Sequence, residues 1–281
     1  KTNVPSMGAG SHTFNPVFGP TRNPYNLDRS AGGSSGGAAA ALASGMLSLA
    51  DGSDLGGSLR NPASFCNVVG LRTTIGRNSR APVVTGWLSM SVVGAMGRTV
   101  ADTALLQSVL AGFDPRDPVS LPGDGSEFAA LADSQPADDL HGWRVGWSTT
   151  LGGLPVDPAV TRVLERDGRP VLAELGTEVR ETEPDFEGAE SAFRTLRAWE
   201  MSQTYGQLYR ERRDELSENI IYNIEAGLGL TATDLFEAYT ARTRLYTRMV
   251  QLFEDIDILA APTVQLPPFP VDWTWPREVA G

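Results

Sequence analysis

The stretch GGSSGGAAAALASGMLSLADGSDLGGSLR, residues 32–60, holds three glycine pairs, and its reading decides the fold. In isolation GGSSGG has the composition of a flexible linker. Here it abuts AAAALASG, a run of strong helix formers, so the glycines become the entry turn of a helix whose first N–H groups lack intrahelical partners. A phosphate-cradling loop would need Gly-Lys-Ser/Thr after its glycines, and the sole lysine of the chain is Lys1. A GxSxG pattern also falls on Gly33, Ser35 and Gly37, which admits a nucleophile elbow served by His141, the only histidine downstream. The second bend, from Asp54 to Arg60, sets Ser58 directly after Gly56 and Gly57. Two positions without side chains let backbone N–H groups converge on one point, which suits an oxyanion; a plain tight turn before Leu-Arg-Asn-Pro uses the same residues.

Composition narrows the function classes. At 281 residues and 41% hydrophobic content the chain can bury a sizeable core. A formal net charge of −11 argues against nucleic acid or an anionic lipid surface as partner, since both call for clustered Lys and Arg. One cysteine, Cys66, excludes an internal disulfide framework, and with two histidines it leaves too few soft ligands for a structural zinc site. The expectations are therefore a reducing, cytoplasmic setting and no metal. The longest apolar run, residues 38–50, is short and broken by Ser44, Gly45 and Ser48, so no membrane span is expected.

Up to about Arg98 the chain is loop-rich, with short apolar runs and one helical stretch after Gly37. VADTALLQSVLAGF, from Val100, has helical spacing and stops at Gly112, and an acidic, polar stretch runs on to about Asp139. WRVGWS alternates like a strand. Two long amphipathic helices follow. The first spans about residues 185–215 with Ala189, Phe193, Leu196 and Trp199 on its stripe, and the second opens on Thr231 and Asp234 in capping-box spacing. DILAAPTV reads as a buried strand end. No linker interrupts the pattern, so one α/β domain over residues 1–281 is expected.

Taken together, GGSSGG and GSDLGGSLRNPASFCNVVGLRTTIGR resemble the amidase signature family of serine hydrolases. The flanks TNVPSMG, NPVFGPTRNPYNLDRSAGG and GAMGRTVADTALLQSVLAG look like the same family, and NIEAGL, LTATDL and ILAAPT extend the likeness more loosely. The resemblance implies a large mixed central β-sheet covered by helices on both faces. It implies hydrolysis of small-molecule carboxylic amides, with esters, anilides or carbamates as further substrates, through an acyl-enzyme. By residue, Ser58 matches the family's nucleophile, and Ser34 matches its bridging serine, held there in a cis peptide bond. The N–H groups of Leu55, Gly56, Gly57 and Ser58 match the oxyanion hole, and Ser35, Asp54 and Arg60 match residues that hold the glycine-rich loops. Met7 and Gly8 match positions lining the acyl pocket of fatty acid amide hydrolases. A serine hydroxyl needs a proton acceptor to attack at neutral pH, and Ser-Lys arrangements supply one without histidine.

The chain departs from the family pattern at both ends. The family's general base is a lysine well upstream of the first Gly-Ser motif, and Lys1 matches a different position, so the catalytic lysine is expected outside this chain. Family members also continue past the APT segment, so the sequence reads as the middle of a longer polypeptide. A free-standing amidase fits best, as WLSMSVVGAMGRT and NIEAGL look more like that branch than like the A-type component of the tRNA amidotransferases. A catalytically silent binding or assembly component of the same fold is the competing reading, and a homodimer stays open. Cys66 reads as a buried, inert thiol among Phe65, Val68 and Val69, and His12 and His141 read as structural or exposed.

Overall fold

The computed structural model describes residues 1–134, 137 and 139–280. They gather into two compact units, one of Lys1–Pro136 with Leu266–Val279 and one of Ala137–Gln265. The sequence reads as one domain because the chain passes between the units at an acidic stretch and at Gln265, where no Gly/Ser-rich linker marks a boundary.

In the first unit two short hairpins, β1 (Phe14–Asn15) with β2 (Gly19–Pro20) and β3 (Arg22–Asn23) with β4 (Asn26–Ser30), lead into the first glycine bend and α1 (Gly36–Ala43). Next come β5 (Leu49–Asp54), the second bend and α2 (Arg60–Phe65), then β6 (Val69–Gly70) and β7 (Val92–Gly97). β7 is the middle strand of an antiparallel sheet, paired with β5 from Leu49↔Gly97 to Asp54↔Val92 and with β6 at Val69↔Gly97. Its run VVGAMG is small and apolar, as a strand covered on both faces requires, and Val92, Ala95 and Met96 are buried. α1 is made of Gly and Ala around Leu42, so it can sit inside the core: Ala38, Ala39 and Leu42 pack with Ala31, Leu59, Ala63, Cys66 and Met96. α3 (Val100–Leu110), capped by Thr99 accepting the Asp102 N–H at 3.0 Å, covers β7 with Thr103, Ala104 and Gln107. α4 (Ser126–Asp133) forms inside the acidic, polar stretch, where bare Gly125 lets its first turn press on the Ser108 backbone of α3.

The second unit carries a parallel sheet. β8 (Arg144–Trp147) is central, with β9 (Glu178–Glu181) on one side and β10 (Ile258–Ala260) on the other. A crossover of α5 (Pro158–Val163), one π turn and α6 (Arg169–Glu174) joins β8 to β9, as parallel pairing demands. α7 (Ala189–Arg212), α8 (Glu218–Leu228) and α9 (Ala232–Asp255) complete the unit. The expected stripe of α7 shifts: Ala192, Leu196, Ala198, Ser202 and Gly206 are buried, while Phe193 and Trp199 are half-buried. Small residues face inward because α8 lies close, with Gly227 against the Ala198 backbone. The expected capping box of α9 is present.

The class is mixed α/β, as the resemblance implies. Among the described residues the strands pair in sheets of at most three, antiparallel in the first unit and parallel in the second.

Candidate active site

The first glycine bend is held from outside its own segment. The Gly33–Ser34 peptide is cis. The buried Thr13 hydroxyl donates to the Ser34 carbonyl at 3.2 Å and accepts the Gly36 N–H at 3.1 Å, so a residue of the N-terminal hairpin caps α1. Ser34 and Ser35 are 5% and 6% exposed. Glycine is required at position 36, where a Cβ would overlap the Thr13 side chain.

The second bend is tied to the first directly. The Ser35 N–H donates to the Ser58 carbonyl at 3.1 Å, which sets the two serine-bearing bends side by side. Ser35 also packs on β5, where a Cβ at Gly52 would lie 2.5 Å from its Oγ. Ser58 itself is half-buried. Asp54 ends β5 with a fully buried carboxylate. It accepts the Gly57 N–H at 2.8 Å and the Leu59 N–H at 3.2 Å, and Arg60 grips it with Nε at 2.9 Å and Nη2 at 3.0 Å. A second guanidinium, Arg72, donates through Nη1 to the same carboxylate at 3.0 Å and to the Asp54 carbonyl. Burial alone would push the Asp54 carboxyl up; the Arg60 bonds and charge, the Gly57 N–H and Arg72 outweigh it and hold the pKa at about 2. Asp54 is therefore ionised at neutral pH and acts as the anchor of the bend.

This anchor alters the expected donor set. Gly57, at φ +110°, has its N–H turned onto Asp54. The N–H groups of Leu55, Gly56 and Ser58 have no bonded acceptor among the described residues. N–H groups left without an internal acceptor beside a half-buried serine are open to an oxygen from outside the chain.

The remaining predicted residues fall as follows. Met7 and Gly8 occupy an exposed turn at positive φ, two residues before Gly10, whose carbonyl lies against Gly33. Cys66 is fully buried; burial pushes its thiol up to about 12, and Sγ contacts the Ala31 carbonyl at 3.6 Å. His141 lies on an exposed turn. His12 is a buried pin: Nε2 donates to the Val271 carbonyl at 2.9 Å, and Nδ1 accepts from the Ser30 hydroxyl at 2.7 Å. Ser30 Oγ in turn accepts the Gly32 N–H at 2.9 Å, so this chain of bonds ends on the first glycine bend. Thr13 and Arg72 were not singled out by sequence reasoning. Thr13 is far from Ser34 in sequence and belongs to no spacing pattern, and Arg72 is one of many arginines until folding brings it to Asp54.

Among the described residues no group of three or more His, Cys, Asp and Glu is placed to hold a metal ion, and no helix is long and apolar enough to cross a membrane.

Comparison with known proteins matches residues 1–275 to the family model described as Amidase. An acylamidase of Rhodococcus erythropolis is 34% identical over 283 residues, 100% of this chain and 58% of its own length. The A component of the glutamyl-tRNA(Gln) amidotransferase of Thermus thermophilus is 38% identical over 96% of this chain and 61% of its own. The crystal structure of a bacterial aryl acylamidase of the amidase signature family superposes with a TM-score of 0.89 at 31% identity, covering 99% of this chain and 59% of that one. A fatty acid amide hydrolase structure shares the fold with a TM-score of 0.80 at 23% identity. The chain thus spans about three fifths of the length of the two acylamidases and the amidotransferase component, and 48% of the fatty acid amide hydrolase. With two glycine-framed serine bends joined main chain to main chain, and with a family match over nearly its whole length, this chain belongs to the Amidase family.

Proposed function

We propose that the joined bends form the acyl-transfer centre of an amide hydrolase acting on small carboxylic amides, with Ser58 as nucleophile and Ser34 as proton relay. Ser58 Oγ attacks the amide carbonyl carbon and gives its proton to Ser34. The carbonyl oxygen takes the negative charge against the N–H groups of Leu55, Gly56 and Ser58. As the C–N bond breaks, Ser34 delivers a proton to the departing nitrogen, and an ester to Ser58 remains. Water then attacks that ester, frees the carboxylic acid and restores the Ser58 hydroxyl. Gly57, with Asp54, Ser35 and Arg60, shapes the bend, and Met7 and Gly8 border the acyl side. The relay needs a base beyond Ser34, and we assign no residue of this chain to that role. No step calls for a cofactor.

The observation that carries this reading is the 3.1 Å bond from Ser35 N–H to the Ser58 carbonyl, beside three N–H groups with no acceptor among the described residues. Similarity to acylamidases supports amides as substrates. The test is fluorophosphonate labelling of the intact protein, followed by turnover of para-nitroanilides, aliphatic amides and glutamine. Ser58 is expected to carry the label, and Ser58→Ala is expected to lower turnover by roughly 10⁴-fold or more. Undiminished labelling of Ser58→Ala would defeat the assignment. The match to an amidotransferase component supports a second reading, in which the protein releases ammonia from glutamine for a partner. Turnover of glutamine but not of anilides would favour it, and a protein that neither labels nor turns over any amide would be the silent component.

A further inference from the structure

Asp54 is met by two arginines, and they are not equivalent. Arg60 lies on α2 and leaves 44% of its side chain in solvent. Arg72 follows β6, is 26% exposed, and uses both ends of its fork. Its Nη1 reaches the Asp54 carbonyl and Oδ1, and its Nη2 donates to the Met90 carbonyl at 2.9 Å, two residues before β7 begins. Oδ1, which Arg72 shares with Arg60 Nη2 at 3.0 Å, is the oxygen that accepts the Gly57 N–H at 2.8 Å. The Gly57 N–H lies one peptide away from the Gly56 and Ser58 N–H groups, so fixing it on Asp54 restrains the neighbouring planes through the φ and ψ of Gly56 and Gly57. Arg60 belongs to the bend it would fix, at the first residue of α2. Arg72 is anchored outside the bend, at the Met90 carbonyl just ahead of β7, and its planar fork ties that carbonyl and Asp54 at a fixed angle.

We propose that Arg72 is a positioning residue for the Ser58 bend: it locks the Asp54 carboxylate against the β5–β7 sheet, and the carboxylate in turn holds the Gly57 peptide so that the adjacent N–H groups face the reacting carbonyl. Nothing in the proposed chemistry has Arg72 touch the substrate. The proposal rests on the functional reading above for its catalytic consequence, while its structural core stands apart from it.

The test uses the intact protein and its Arg72→Met and Arg72→Lys variants. Active sites are counted by fluorophosphonate titration, kcat per titrated site and KM are measured on a hydrolysed amide, and amide hydrogen exchange is followed at Gly57. Expected for Arg72→Met are a kcat per site lower by about 10- to 100-fold, since small displacements of reacting groups cost rates of that order, a KM within about twofold, and faster exchange at Gly57. Lysine, which keeps the charge but lacks the planar fork, is expected to recover only part of the loss. A kcat per site within about twofold of wild type, with merely fewer titratable sites, would reduce Arg72 to a structural ion pair. Unchanged Gly57 exchange would overturn the proposal whether or not the protein is active. Failure of the wild type to label at Ser58 would instead sink the functional reading, leaving the exchange measurement to decide on Arg72.

Discussion

Gly37 illustrates how single atoms set this site. Within a helix, Gly→Ala ordinarily stabilises by about 1 kcal/mol. At Gly37 a Cβ would overlap the backbone carbonyl of Asn3 and stand 2.5 Å from its nitrogen, so extended chain and helix meet with no room for a methyl group. Overpacking against backbone costs about 1–3 kcal/mol. Gly37→Ala is therefore expected to lower the melting temperature of the intact protein; a higher one would mean that residues 1–15 do not press on α1. The same close packing explains why Gly-Ser-rich sequence is rigid here: Asn3 is itself fixed by bonds to the Gly19 carbonyl at 3.1 Å and Thr21 Oγ1 at 2.9 Å. Composition alone carries the linker reading; the adjoining AAAALASG already argues against it, and the contacts that make the bend rigid come from residues distant in sequence.

Among the elements, α9 and α1 sit at opposite extremes. α9 is a 24-residue helix of which only Ala238 is fully buried, and its start is fixed by Thr231 and Asp234, each side chain accepting the other's N–H. That signal is local and was readable in the sequence. With little buried surface to hold the first turn, the cap carries much of its stability: Thr231→Ala is expected to destabilise the protein by about 1 kcal/mol in urea unfolding, and a change below about 0.3 kcal/mol would show that packing holds the helix start. α1 has no such local cap, since Ser35 makes no capping bond, and its first free N–H goes to Thr13. A helix was legible from AAAALA, but its capping partner was not, because the hairpin carrying Thr13 reaches it only through tertiary folding.

At the scale of the whole molecule, buried ionisable groups set the response to acid. His12 has its pKa lowered, chiefly by burial and against the Val271 bond, so the unfolded chain binds a proton that the native state refuses. Stability is expected to fall as pH drops below about 6.5, the ordinary histidine value. Asp54, depressed to about 2, adds a second loss beginning near pH 4 as the unfolded carboxylate protonates, and it is complete only once the native one does. Thermal melts from pH 8 to 3 should show both limbs, with the upper one reduced in His12→Gln; a flat profile between pH 7 and 5 would mean His12 is not buried neutral. The sequence by itself determined the α/β class, the long helices, the two glycine-framed serines and the identity of Asp54 and Arg60 beside them, because helix caps, periodicity and short motifs are set by near neighbours along the chain. Only the tertiary structure decided that the N–H of Gly57 serves Asp54, that Thr13 and His12 pin the first bend, and that Arg72 reaches the second. Hydrogen bonds act over about 3 Å, and residues remote in sequence come within that distance only when the core closes.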